Sequence, residues 1–196
     1  MKKLFIIFAA AAVVACNSSK EKNKVVKSSS NMMTSENSKK QVNDTIAYED
    51  SVMLLGEATR EGFKMDAFKE WYNLGYDYYK PKPEIIDSLK PLLKDVEITV
   101  FMGTWCEDSQ RETPHLYKIL DQANFDEDKL TLYTVSDEKT TPQGFEEGKD
   151  INYVPTIIFY KNGEELNRIV EYPMKNLEAD MLTILSGKEY QHAYAQ

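Results

Sequence analysis

Cys106 and Ser109 stand three residues apart in the stretch Phe101-Met102-Gly103-Thr104-Trp105-Cys106-Glu107-Asp108-Ser109. A thiol followed one turn later by a hydroxyl suits nucleophilic sulfur chemistry. The alternating apolar run over residues 96–102 ends at Gly103, and a helical pattern with Leu116, Ile119, Leu120 and Ala123 follows. Cys106 therefore falls where a strand hands over to a helix. The first N–H groups of a helix lack intrahelical partners and carry the positive end of its dipole, which favours a thiolate. Glu107 and Asp108 act in the opposite direction, but water screens them at an exposed helix start. The balance predicts a modestly favoured thiolate, with the Ser109 hydroxyl as a hydrogen-bond donor to it. His115 lies nine residues beyond Cys106, about two and a half turns, and is read as structural or solvated.

The remaining cysteine has a different context. Met1-Lys2-Lys3, an uncharged apolar run over residues 4–15 and then Cys16 have the form of a secretory signal, and the run is too short to span a bilayer. Val13-Val14-Ala15-Cys16 resembles a bacterial lipobox. Residues 1–15 are thus expected to be a lipoprotein signal peptide and Cys16 the lipidated first residue of the mature chain. Cys106 would then be its single thiol, in an oxidising compartment and with no intramolecular disulfide to form.

Charge divides the chain in the same place. Residues 17–43 hold six Lys and two Glu, a net +4, whereas residues 44–196 carry −14. A body this acidic argues against nucleic acid, whose affinity comes mainly from phosphate neutralisation. Near anionic lipid the basic segment is attracted and the body repelled. Residues 16–43, rich in Ser, Asn and Lys without apolar periodicity, are expected to be the lipidated cysteine and a flexible linker. One thiol and two scattered histidines give no ligand spacing, so neither a metal nor another cofactor is expected.

The elements that must position Cys106 follow from periodicity. Met65, Phe68, Tyr72, Gly75, Tyr76 and Tyr79 predict an amphipathic helix with an aromatic face over 65–79. Residues 52–60 read equally as strand or helix. The aromatic cluster of Trp71, Tyr72, Tyr76, Tyr78 and Tyr79 is expected to pack on the domain, the alternative being a partner-binding surface. Pro83 opens a helix with an Ile85, Ile86, Leu89, Leu92, Leu93 stripe, which Pro91 should bend. Residues 130–135 supply a strand parallel to 96–102, since a helix connects them. Residues 156–160 and 165–170 flank Asn162-Gly163, a tight hairpin turn, and a last helix follows.

Three landmarks together resemble the thioredoxin family. Trp-Cys-x-x-Ser stands at 105–109 where that family has Trp-Cys-x-x-Cys, Pro114 lies at the offset of its active-site helix proline, and the run from Val154 to Glu164 is similar to its cis-proline strand and hairpin. The resemblance covers about residues 83–190. It implies an α/β, thioredoxin-like fold, a central mixed β-sheet flanked by helices; residues 44–82 lie outside the resemblance and are expected, from their periodicity, to be an extra N-terminal helical segment packed on the domain. The resemblance further implies a cis Pro155 beside Cys106, and Trp105, Val154 and Pro155 as the peptide-binding residues.

Departures from the pattern bear on activity. Ser109 replaces the resolving cysteine, Val100 replaces a buried aspartate, and Glu171 replaces a glycine of the groove. The expected function is monothiol thiol-disulfide exchange through Cys106, assisted by Ser109, on exported protein thiols or disulfides. A resolving thiol would come from the substrate or a small molecule. The expected location is the cell envelope, lipid-anchored to a membrane, and the outer membrane if the cell has one. The rival expectation is a redox-inactive binding module that holds a partner protein at the membrane.

Overall fold

The structure is a computed structural model and describes residues 42–195. The expected signal peptide, Cys16 and nearly all of the expected linker lie outside the described residues. The described part opens with an antiparallel hairpin, Thr45–Tyr48 (β1) and Ser51–Leu54 (β2). Gly56–Ala58 (β3), a 3-10 turn at Arg60–Lys64, and the helices Lys69–Tyr78 (α1) and Pro83–Leu92 (α2) follow. Then come Glu97–Met102 (β4), Glu107–Gln122 (α3), Leu130–Thr134 (β5), Thr156–Lys161 (β6), Glu164–Val170 (β7) and Leu177–Leu185 (α4).

The central sheet has the order β3-β5-β4-β6-β7. β4 and β5 are parallel, as the intervening α3 requires, and all other pairings in this sheet are antiparallel. A parallel β4-α3-β5 crossover followed by an antiparallel β6-β7 hairpin and a terminal helix is a thioredoxin-like fold. The hairpin turns through Asn162 and Gly163, at φ 54° and 80°, the positive values such a turn demands.

Period-two alternation sorts the strand residues onto two faces. Ile98, Val100 and Met102 of β4, Leu132 of β5 and Ile157 and Phe159 of β6 join the main core with buried residues of all four helices. On the opposite face Phe101 and Ile158 pack with Val135, Ile151 and Val154, from the segment that links β5 to β6. The sheet thus has a helical face and a second face covered by loop.

The N-terminal extension is more than helical. Residues 52–60, ambiguous by periodicity, become the end of β2, β3 and the start of a 3-10 turn; strands of three and four residues are too short to show a period. β3 pairs with β5 and covers an edge that would otherwise be open to strand addition. The helix expected from Met65 begins at Lys69, because Phe68 and Lys69 N–H both donate to the Met65 carbonyl in a turn, leaving Met65 exposed. Phe63, Phe68 and Tyr72 are buried in the main core, while Tyr78 faces solvent. Gly75 meets α3 at Pro114: a Cβ built on it would lie 2.5 Å from the proline Cγ, so only glycine permits the approach. Arg60 makes a two-pronged bridge to Asp121 of α3, both contacts at 2.8 Å, and the Tyr76 hydroxyl donates to the same carboxylate. His115 stacks on Tyr79 at 3.8 Å, well within the fold.

Candidate functional site

Cys106 is the N-cap residue of α3, with φ −91° and ψ 123°. Its N–H donates to the Gly103 carbonyl and its own carbonyl accepts from Gln110 N–H, so the loop between β4 and α3 closes in a single turn. Its side chain does not cap the helix. The thiol instead donates to the Val154 carbonyl at 3.2 Å, and the residue is half-buried. Of the two acids beside it, Glu107 is exposed, and Asp108 is paired with Arg111 at 2.5 Å one turn on. Arg111 thereby offsets a charge that the sequence set against the thiolate.

Ser109 is fully buried, and its hydroxyl oxygen accepts from Gly103 N–H at 3.2 Å. The hydroxyl thus bonds the loop and fixes the strand-to-helix turn. Trp105 donates its indole N–H to the Val135 carbonyl at 2.9 Å, with Lys139 Nζ 5.5 Å from the ring centre. The ring lies against Gly103: a Cβ there would come within 2.5 Å of it. Thr104 ties the same loop to the extension, its hydroxyl accepting from Leu54 N–H while Gln110 Nε2 donates to its carbonyl.

The Val154–Pro155 peptide is cis, and both residues are buried. The Pro155 carbonyl accepts from Glu171 N–H at 2.7 Å, which joins the cis-proline loop to the end of β7. Glu171 sits at φ 65°, the left-handed region that favours glycine. It therefore presents a carboxylate from a backbone conformation that glycine adopts most easily. Val100, at the aspartate position, is buried in the main core and offers no titrating group.

The structure brings Trp105, Cys106, Val154 and Pro155 together at one corner of the loop-covered face, with Ser109 behind them. Gly103, Thr104, Gln110 and Arg111 complete the corner and were not singled out by sequence reading. Their contacts cross between strand, helix and extension, and no spacing announces them. A cleft of about 340 Å³ opens between the hairpin and Trp105, lined by Tyr48, Val52, Phe68, Trp71 and Thr104 among others. A larger one of about 720 Å³ lies beside the cis-proline loop and includes Tyr153, Arg168, His192 and Tyr194. The lining His192 is held below its ordinary pKa, first by burial and then by Arg168, and its neutral Nδ1 accepts from Tyr194 N–H.

The segment over the second face is organised around Thr141 and Glu146. The Glu146 carboxylate accepts from the Thr141 hydroxyl and N–H at 2.6 and 3.0 Å, and the Thr141 hydroxyl oxygen accepts from Phe145 N–H. Partial burial alone would raise the Glu146 pKa, but these bonds outweigh it and leave the carboxyl below its usual range. Phe145 is thereby set on Tyr133, ring to ring at 4.3 Å.

No family model matches the chain, and no curated protein matches it. Similar solved structures include a protein of unknown function from Pseudomonas aeruginosa, at 15% identity, 62% of this chain, 82% of that chain and a TM-score of 0.45. A thioredoxin from Malassezia sympodialis is similar at 26% identity, over 50% of this chain and 84% of that one, with a TM-score of 0.34. Mitochondrial thioredoxin 3 from Saccharomyces cerevisiae is similar at 18% identity, over 43% and 74%, with a TM-score of 0.30.

Proposed function

We propose that the chain carries out monothiol thiol-disulfide exchange on exported proteins through Cys106, tethered to a membrane by a lipid on Cys16 and the basic linker. The observation that supports this most is the contact of the Cys106 sulfur with the carbonyl of Val154, directly before a cis proline. It sets a nucleophile beside backbone that can pair with an added peptide strand. When the thiol loses its proton to solvent, the S–H···O bond is lost and the Val154 carbonyl becomes free to accept a peptide N–H.

The sulfur then attacks one sulfur of a partner disulfide. That S–S bond breaks, the departing sulfur leaves as a thiolate and takes up a proton, and Cys106 is left in a mixed disulfide. With serine at 109, a thiol of the partner or a small-molecule thiol attacks the partner's sulfur in this bond. It forms the new disulfide and returns Cys106 as a thiolate.

The burial of Val100 and Ser109, neither of which is a proton carrier or second thiol, favours the second reading of a binding module without turnover. One experiment separates them. The chain is incubated with a peptide disulfide, quenched with acid and weighed by mass spectrometry. One peptide adduct on Cys106, absent from Cys106→Ala, is the expected result. No adduct on the unaltered chain, with partner binding unchanged in Cys106→Ala, would sink exchange as the main role and leave the module.

A further inference from the structure

Beyond α4 the chain does not leave the fold. Tyr190 is fastened twice, its carbonyl accepting from Asn167 Nδ2 at 3.0 Å and its hydroxyl donating to Asp180 at 3.0 Å. From there the tail turns back over the large cleft, with Ala195 N–H donating to the His192 carbonyl. Tyr194 stacks on Tyr153, centroids 3.8 Å apart and planes 12° from parallel, and lies edge-on to Tyr172. Its hydroxyl donates to the Glu171 carboxylate.

These partners border the peptide-binding corner on both sides. Tyr153 immediately precedes Val154, and Glu171 N–H holds the Pro155 carbonyl. The slot has one aromatic wall and one acidic end, and the side chain in it matches both, by ring face and by phenolic proton. Glu171 holds its left-handed backbone although it is not glycine. The three tyrosines are 37 to 43% exposed, so the seat is shallow and its occupant can be exchanged.

We propose that the slot between Tyr153 and Glu171 is a docking site for an extended partner segment presenting a tyrosine ring, and that Tyr194 is its built-in competitor. The proposal rests on the reading of Val154 and Pro155 as a peptide-binding corner, but not on any reactivity of Cys106. With Tyr190 fastened, only residues beyond it must swing away to free the slot. Asp150, Glu171 and Arg168 border the site, and because Glu165 pairs with Arg168 the remaining charge is acidic, which suits a neutral or basic partner segment. A tethered ring competes at an effective concentration on the order of millimolar, which suppresses weak segments and admits those with further contacts along the corner.

The test uses the full chain with Cys106→Ala, so that no disulfide capture contributes, and a fluorescein-labelled peptide Gln-His-Ala-Tyr-Ala-Gln. Fluorescence anisotropy should show about tenfold tighter binding once Tyr194→Ala is added, since the stack and hydrogen bond of the competitor are both lost. Tyr194→Phe, which keeps the stack alone, should fall between. A peptide with alanine in place of its tyrosine should bind neither form better. Equal affinity with and without Tyr194→Ala, no binding to either, or no preference for the tyrosine peptide would overturn the proposal. A failed competition leaves the adduct experiment standing, and a failed adduct experiment does not touch this one.

Discussion

The two faces of the central sheet are built to different depths. On one, buried residues from four helices and six strands form a continuous core, with an aromatic group in which Phe63 stacks on Tyr72 at 5.0 Å. On the other, Phe101 and Ile158 of the sheet pack with three buried residues of the segment between β5 and β6 and a few half-buried rings. The chemistry-bearing corner belongs to the shallow face, since Trp105 and Cys106 pack there. The deep face fixes β4 and α3, and with them the position of the sulfur. The proposed docking slot lies beside this shallow face, where the tail contacts Tyr153 and Glu171.

Truncation should separate the faces most sharply. Phe63→Ala removes a fully buried ring and should cost about 3–5 kcal/mol. Phe145→Ala removes a half-buried one and should cost about 1 kcal/mol. Urea unfolding of both variants checks this, and equal costs would erase the distinction.

A smaller effect is expected at Gly103→Ala. The added methyl must displace the Trp105 ring or the loop, at about 1–3 kcal/mol. Its diagnostic consequence is a several-fold slower adduct at Cys106. A rate equal to that of the unaltered chain would mean that the ring does not help to shape the corner.

The smallest effect concerns acid. Burial tends to raise the Asp121 pKa, but the Arg60 bridge and the Tyr76 hydroxyl outweigh it and hold the carboxyl below its ordinary value. A carboxyl depressed in the fold stabilises it above the unfolded value, and that contribution is lost as pH falls through the lower folded value. Below about pH 4, amide protection over 60–78 should therefore fall in the unaltered chain, while Asp121→Asn lacks this step. Retained protection in acid would show that packing alone seats the extension.

Much of the frame was legible because local signals coincide with it. The β4 alternation, the intervening helix that makes β5 parallel, and the Asn162-Gly163 turn each follow from a few adjacent residues. Val154–Pro155 could be read only through the resemblance, and its peptide is cis in the structure. The 44–82 segment was half legible: its aromatic helix showed a period, but β3 did not, since three residues become a strand only by pairing with β5.

The site divides in the same way. The sequence by itself determined that Cys106 stands where a strand hands over to a helix and that no second thiol stands at 109. Those facts depend on residue identity and on neighbours a few positions away. Tertiary structure alone decided that the thiol bonds Val154, that Ser109 holds Gly103, that Arg111 offsets Asp108 and that Tyr194 returns to Tyr153 and Glu171. The Cys106 and Tyr194 contacts join residues dozens of positions apart, which the folded sheet and helices bring within bonding distance. The Ser109 and Arg111 bonds are short in sequence but depend on rotamers and on the turn between β4 and α3, which spacing does not specify.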